Sequence, residues 1–161
     1  MKTLIYQINV GNSTQWGSDK IKNILNEYCI PSVKSYAKKH NYHYRMFKED
    51  IFFNYGKNFL NSKGTQISFN KYLYLKYLDY DQIVYIDTDV YILEDSEKLP
   101  QVNKLSLVAE PESCETHSLY KNYYKLNDDF KYLNSGFFIC DKKSANLLSD
   151  YMINRIKFKK K

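Results

Sequence analysis

One short segment near the middle of the chain constrains its fold more than any other. Residues 82–86 form an apolar, β-branched run, Gln-Ile-Val-Tyr-Ile, which predicts a buried strand. The run leads directly into Asp87-Thr88-Asp89, after which apolar residues resume at Val90. A simple hydrophilic turn does not explain two carboxylates with apolar residues on both sides. The segment predicts a strand that is covered by helices and carries acidic groups at its carboxyl end.

The sequence before this strand alternates between strand and helix patterns. Residues 4–10 predict a first strand. Asp19 begins a helical pattern that is interrupted at Pro31 and continues to His40. Residues 42–47 alternate as a second strand. This β-α-β opening favours an α/β fold with a mostly parallel central sheet flanked by helices.

The later sequence continues the same α/β pattern. Residues 49–66 are irregular and predict a long surface loop, which in a compact domain is often functional. We predict helices over 67–80 and 144–156, and strands over 104–109 and 131–140. The aromatic stripe on the first of these helices is expected in the core. With 161 residues, 5 Gly and 3 Pro, the chain predicts a single domain over 1–156, followed by a basic tail at 157–161.

Charge, cysteines and hydropathy exclude several classes of protein. The net charge is +6, but five of the positive charges lie in the last seven residues, so the rest of the chain is almost neutral. This does not indicate a nucleic-acid partner. The tail is either a solvated end or a weak contact for anionic membrane surfaces. Three widely spaced cysteines argue against a disulfide framework, and no transmembrane or signal segment is evident, so we expect a cytoplasmic protein.

The pair Asp87 and Asp89 is the strongest chemical signal. In an extended chain, residues two apart face the same way, so both carboxylates can reach one cation at the carboxyl end of the strand. Paired hard oxygens suit Mg²⁺ or Mn²⁺, which keeps positions open for phosphate oxygens. The alternative for a bare Asp-x-Asp is a turn with two solvated aspartates.

A second candidate segment is Asn134-Ser135-Gly136, at the start of the apolar run that leads to Cys140. Glycine lets the backbone approach a ligand, and an asparagine amide can both donate to and accept from sugar hydroxyls. The alternative is an ordinary turn that enters a strand.

Taken together, these segments resemble the GT-A type of glycosyltransferase. Over nearly the whole chain it is similar to the glycogenin-like and lipopolysaccharide galactosyltransferase families. The resemblance rests on the opening strand and its Tyr-rich helix, the Phe69-Asn70-Lys71-Tyr72-Leu73 helix, the Asp-Thr-Asp strand end and the Asn-Ser-Gly strand.

The resemblance implies a metal-dependent transferase that moves a sugar from a UDP- or GDP-sugar to a glycan, lipid or protein. It implies Asp87, Asp89 and Asn134 as catalytic residues, the two aspartates being the ligands of Mn²⁺ or Mg²⁺. The implied nucleotide-sugar contacts are Gln7, Ile8 and Asn9 for base and ribose, Lys71 for the donor, and Thr88 beside the metal pair. Asn134, Ser135 and Gly136 are implied to line the sugar pocket. For Lys71 the alternative is a helix lysine that reaches along the surface to solvent.

The chain departs from the family pattern at its C-terminal side. These families complete the metal site with a histidine after the Asn-Gly strand, whereas no histidine follows Asn134 here. His117 or Glu110 is the candidate to complete the metal site instead, and Glu110 and Glu112 are the nearest candidates in type for a covalent carboxylate nucleophile. The chain is then a shortened transferase, a fragment, or a relative with another third ligand. The competing function is a nucleotide-sugar-binding remnant with weak or no activity, and homo-oligomerisation is left open.

Overall fold

The computed structural model describes residues 1–10, 19–55, 63–109, 111, 115–125, 127 and 131–158. The strands among them are β1 (Thr3–Ile8), β2 (His43–Phe47), β3 (Gln82–Ile86), β4 (Ser106–Ala109) and β5 (Leu133–Asp141). The α-helices are α1 (Asp19–Ile24), α2 (Ile30–Lys39), α3 (Lys63–Leu73), α4 (Glu115–Tyr124) and α5 (Lys142–Phe158). A π-helix (Leu25–Cys29) joins α1 to α2, and 3₁₀ turns occupy Phe52–Asn54 and Tyr74–Tyr77.

The strands form one five-stranded sheet in the order β2-β1-β3-β5-β4. β1 is parallel to both β2 and β3, whereas β5 runs antiparallel to β3 and to β4. Four strands therefore point the same way, and β5 is the exception. The predicted α/β class with a mostly parallel sheet is confirmed.

Both faces of the central strands are buried, as their sequences predict. Along β1, Tyr6 lies in an apolar cluster with Leu75 and Phe138, while Ile5 packs on the other face with Val33 of α2. Each such side chain, once buried, contributes about 1.5–3 kcal/mol to folding. The sheet is thus the buried middle layer of the fold, and the ends of its strands carry the polar residues discussed below.

The helical run from Asp19 to Lys39 is continuous, and its irregularity differs from the prediction. Pro31 stands in the first turn of α2, and the helical run continues through it from the preceding π-helix, so it does not break the run. The departure from α geometry comes earlier, in the π-helix. At the other end, Asn41 adopts φ 57° and ends the run, as predicted.

Three further elements differ from the sequence-based expectation. The helix predicted over 67–80 begins at Lys63 and gives way to the 3₁₀ turn at Tyr74–Tyr77. α4 was not predicted, because its polar and aromatic residues show no clean helical stripe. α5 continues through Phe158, so the predicted tail begins within a helix, and residues 159–161 lie outside the described residues. Among the described helices, none is both long and apolar enough to cross a membrane.

Candidate functional site

The reversed direction of β5 brings the two predicted motifs together. Ile86 at the end of β3 pairs with Phe137 of β5, so the start of β5 lies at the carboxyl end of β3. The Asp87 N–H donates to the Gly136 carbonyl at 2.7 Å, directly joining the motifs. In a wholly parallel sheet, the start of this strand would lie at the opposite edge. Asp-Thr-Asp and Asn-Ser-Gly therefore form one site.

Asp87 and Asp89 lie in a turn, which corrects the extended geometry expected for them. The Val90 N–H donates to the Asp87 carbonyl at 3.3 Å and closes a four-residue turn. The chain turns here because the edge of the sheet ends at Ile86. Asp87 is half-buried and Asp89 is exposed. The pair still faces one cavity, through the turn and not through strand alternation.

The side chain of Asp87 is fixed by its neighbours. The Tyr85 hydroxyl donates to Asp87 Oδ1. Burial, and next the Asp87 carboxylate, raise the pKa of Tyr85 well above its usual value, so the phenol remains a donor at neutral pH. A Cβ placed on Gly136 would lie 2.8 Å from Asp87 Oδ2 and 2.9 Å from Asn134 Oδ1. The glycine is required because the Asp87 carboxylate lies against the backbone.

Asn134 turns its amide oxygen toward its own strand. Asn134 Oδ1 accepts a hydrogen bond from the Gly136 N–H at 2.6 Å. The residue as a whole is exposed. This bond shapes the entry into β5 beside Asp87.

Lys71 projects from α3 into the site and does not reach for solvent. Its ammonium donates to the Ser135 carbonyl at 2.9 Å and to the Ser135 hydroxyl at 3.0 Å. It lies 5.0 Å from the ring centroid of Tyr85 and 5.6 Å from that of Tyr72. Desolvation lowers the pKa of Lys71, and the carboxylates of Asp87 and Asp89 act in the opposite direction. A buried cation therefore stands opposite the two aspartates.

The end of β1 contacts the backbone of the site. Gln7 is fully buried; its amide nitrogen donates to the Asp87 carbonyl at 3.1 Å, and its amide oxygen accepts from the Tyr44 hydroxyl at 2.8 Å. Ile8 is half-buried and Asn9 is exposed. Gln7 thus holds the backbone of Asp87, and the exposed Asn9 is the polar group at this strand end that is open to a ligand.

A cavity of about 620 Å³ lies over this edge and is here named the Asp87 cavity. Six of its lining residues were predicted from sequence: Ile8, Lys71, Asp87, Thr88, Asp89 and Ser135. Sequence reasoning missed the remaining wall: Ile21, Leu25, Ser68, Phe69, Tyr72, Tyr85 and Met152. Tyr85 had a usable signal, because it stands two residues before Asp87 in the same strand. Phe69 and Tyr72 were assigned to the core, but they are half-buried at the cavity wall.

The donor set suits a hard divalent cation in part. Within the described residues, no cluster of three His, Cys, Asp or Glu side chains is arranged to hold a metal. Asp87 and Asp89 nevertheless offer carboxylate oxygens to one cavity, and Mg²⁺ or Mn²⁺ commonly takes only one or two carboxylates beside phosphate oxygens and water. Glu110, Glu112 and the side chain of His117 lie outside what the structure describes.

The comparisons with known proteins identify the fold. No protein-family profile and no curated protein sequence matches the chain. Among solved structures it is similar to a glycosyltransferase involved in glycosylation of the major capsid of PBCV-1, with 12% identity and a TM-score of 0.51, covering 96% of this chain and 67% of that one.

It is also similar to the galactosyltransferase LgtC in complex with donor and acceptor sugar analogs, with 15% identity and a TM-score of 0.52. An active-site mutant of LgtC is similar as well, with 17% identity and a TM-score of 0.53. The alignments cover 96% of this chain and 65% and 64% of LgtC, so the chain spans about two thirds of these structures. The chain therefore has the GT-A fold, and the resemblance seen in the sequence is confirmed at that level.

Proposed function

We propose that this chain binds a nucleoside diphosphate sugar in the Asp87 cavity and transfers the sugar to an acceptor. The observation that carries the proposal is the meeting of Asp87, Asp89, Lys71 and Ser135 around one cavity at the carboxyl edge of the sheet. That edge is where open α/β sheets bind their ligands. The fold similarity to glycosyltransferases supports sugar transfer as the reaction class.

A divalent cation held by Asp87 and Asp89 would neutralise negative charge on the leaving diphosphate. Neighbouring residues hold Asp87 in place before the cation binds. Gln7 and the Tyr85 hydroxyl fix the backbone and side chain of Asp87, so little ordering remains to be done when a ligand arrives. Asp89, which is exposed, is the carboxylate able to adjust to the ligand.

Lys71 is suited to hold the strand entry and the ligand at once. Its ammonium already binds Ser135 through two oxygens. An ammonium has three donors, which leaves one for a diphosphate oxygen. The burial of Lys71 strengthens its attraction to that anion.

The apolar and aromatic wall serves to keep water from the reacting sugar. Ile21, Leu25, Phe69 and Tyr72 form much of the apolar and aromatic part of the cavity lining. Excluding water matters in glycosyl transfer, because water competes with the acceptor for the activated sugar. We assign base and ribose contacts to the end of β1 at Ile8 and Asn9, and sugar contacts to Asn134 and Ser135.

The second candidate is a protein that binds a nucleotide sugar without efficient transfer. One observation favours it: the part of the chain that the structure describes offers only two carboxylates to a metal. Both candidates require the same donor site, so they differ only in turnover.

Calorimetry with UDP and GDP, with and without Mn²⁺, tests the donor site. We expect binding of one nucleotide to require Mn²⁺, and Asp89→Asn to weaken it by at least about tenfold, because one ligand and its charge are lost. Asp95→Asn is the matched control, since Asp95 is exposed and lines neither the Asp87 cavity nor its edge. Equal nucleotide affinity in Asp89→Asn and the parent chain would refute the site.

Hydrolysis of the corresponding nucleotide sugar then separates the two candidates. A transferase releases nucleoside diphosphate slowly in the absence of acceptor, and faster when a suitable acceptor is added. Binding with no release under either condition would support the non-catalytic candidate. We expect Mn²⁺ alone to bind weakly, since the described protein ligands are few and the nucleotide contributes its own oxygens.

A further inference from the structure

A second cavity lies beside the Asp87 cavity and takes no part in the function proposed so far. It has a volume of about 440 Å³ and lies between α2, with the π-helix before it, and residues 91–94. We name it the Tyr28 cleft. Its sides carry Tyr28, Tyr91 and Leu93, which are 57%, 52% and 63% exposed. Large apolar side chains with this exposure on both sides of a groove favour contact with a ligand.

The floor of the Tyr28 cleft is preformed. Ser32 Oγ donates to the Cys29 carbonyl at 2.7 Å and accepts from the Ile92 N–H at 3.0 Å. Lys39 Nζ donates to the Glu94 carbonyl, and the Tyr36 hydroxyl to the Glu97 carbonyl, each at 2.5 Å. These bonds tie α2 to the following segment along its length. The cleft therefore exists before any ligand binds.

The rim of the cleft carries acceptors that are not neutralised. Glu27 and Glu94 line it and form no ion pair with any residue that the structure describes. Lys39, the one cation in the lining, is directed to backbone carbonyls. Two uncompensated carboxylates repel phosphate groups, so the cleft does not suit a second nucleotide. Carboxylates accept hydrogen bonds from hydroxyl groups.

The two cavities are separated by two thin walls. In the π-helix, Leu25 lines the Asp87 cavity and Tyr28 lines the cleft; after β3, Asp89 lines the first and Tyr91 the second. Residues two apart have Cα atoms within about 7 Å of each other.

The π-helix accounts for this division. In an α-helix, residues three apart share a face, so Leu25 and Tyr28 would point to the same side. The Ile30 N–H instead donates to the Leu25 carbonyl, five residues back, and this wider turn separates the two side chains. π-turns within helices frequently stand at functional sites.

We propose that the Tyr28 cleft binds a saccharide acceptor through sugar units beyond the one that reacts. This rests on the function proposed above. The apolar face of a pyranose packs against Tyr28 and Tyr91, because its C–H groups meet the electron-rich face of an aromatic ring. Sugar hydroxyls donate to Glu27 and Glu94. A glycan seated here extends past Asp89 toward the Asp87 cavity, so the acceptor class is a glycan chain or its oligosaccharide precursor.

Saturation-transfer NMR on the full chain tests this with lactose, maltose, cellobiose and chitobiose at about 10 mM, which detects millimolar dissociation constants. We expect at least one disaccharide to bind. Tyr28→Ala and Tyr91→Ala weaken that binding by about tenfold or more, since aromatic anchors dominate small interfaces. Tyr151→Ala is the matched control, because Tyr151 is 59% exposed on α5 and lines neither cavity.

The outcomes separate this inference from the donor site. Loss of disaccharide binding in both tyrosine variants, with Mn²⁺-dependent nucleotide affinity within about twofold of the parent, supports the cleft. No binding of any of the four disaccharides, or binding unchanged in Tyr28→Ala and Tyr91→Ala, overturns it. Displacement of the disaccharide by a tri-lysine peptide at lower concentration shows that the carboxylates select a cationic ligand, and also overturns it. Failure of nucleotide binding alone refutes the donor site and leaves the cleft result standing.

Discussion

Gly136 is the residue on which the geometry of the Asp87 cavity depends most closely. Its carbonyl accepts from the Asp87 N–H, its own N–H donates to the Asn134 amide oxygen, and it has no side chain between them. Glycine is needed here because there is no room for a side chain, and not because the backbone adopts a conformation that only glycine allows. The sequence indicated a close approach at Asn-Ser-Gly, but only the structure shows that the approaching group is the Asp87 carboxylate.

We therefore predict that Gly136→Ala weakens Mn²⁺-dependent nucleotide binding more than it weakens the fold. The added methyl group would lie 2.8 Å from Asp87 Oδ2, so the carboxylate or the strand entry must shift. Overpacking of this kind costs about 1–3 kcal/mol of folding free energy. Nucleotide calorimetry and thermal unfolding on the same preparation measure both effects. Unchanged nucleotide affinity with a lowered Tm would show that the carboxylate position is not used in binding.

At the scale of elements, the irregular ones define the site. β5 reverses direction and returns Asn-Ser-Gly to the edge where β3 ends, and the π-helix divides the residues of one helical run between two cavities. Regular patterns in the sequence predicted the strands closely: β3 has the predicted bounds. Neither the direction of β5 nor the π-turn produces a hydrophobic periodicity that could be recognised in the sequence. The direction of a strand depends on the path by which the chain returns to the sheet. They had to be seen in three dimensions.

Deleting Asn26 tests the π-helix. Asn26 is exposed within it, and removing one residue restores α-helical spacing and rotates α1 by about 100° relative to α2. Ile21 and Leu25 then leave the wall of the Asp87 cavity, so we expect weaker nucleotide binding with helix content retained in circular dichroism. Asn26→Ala is the control and is expected to match the parent. Full nucleotide affinity in the deletion variant would contradict a role for this wall.

On the scale of the whole molecule, the buried tyrosines set an alkaline limit to stability. The chain has 17 tyrosines. Burial raises the pKa of Tyr44 to about 12 and raises the pKa values of Tyr6, Tyr72 and Tyr85 as well. A folded-state pKa above the unfolded value, about 10, means that the folded chain holds the phenolic proton more tightly. The stability this provides is present below about pH 10 and is lost as the pH rises through about 12.

Ultraviolet titration of tyrosinate checks this. We predict a fast, reversible phase near pH 10 from exposed tyrosines, followed by a slow phase that coincides with loss of the far-ultraviolet circular dichroism signal. Tyr44→Phe removes one tyrosine from the slow phase. A single phase near pH 10 for all tyrosines, with the fold intact, would show that these phenols are open to solvent.

The position of β5 between β3 and β4 has a consequence for how the chain is made. On a ribosome, β1, β2 and β3 emerge first, and the free side of β3 stays uncovered until residues 133–141 have been synthesised and inserted beside it. An unpaired strand edge on a nascent chain is a point of misassembly. Pairing between positions as distant as Gln82 and Asp141 also closes a long loop, which slows folding. The last strand to be synthesised is also the one that completes the Asp87 cavity, so a partly synthesised chain does not hold the donor site.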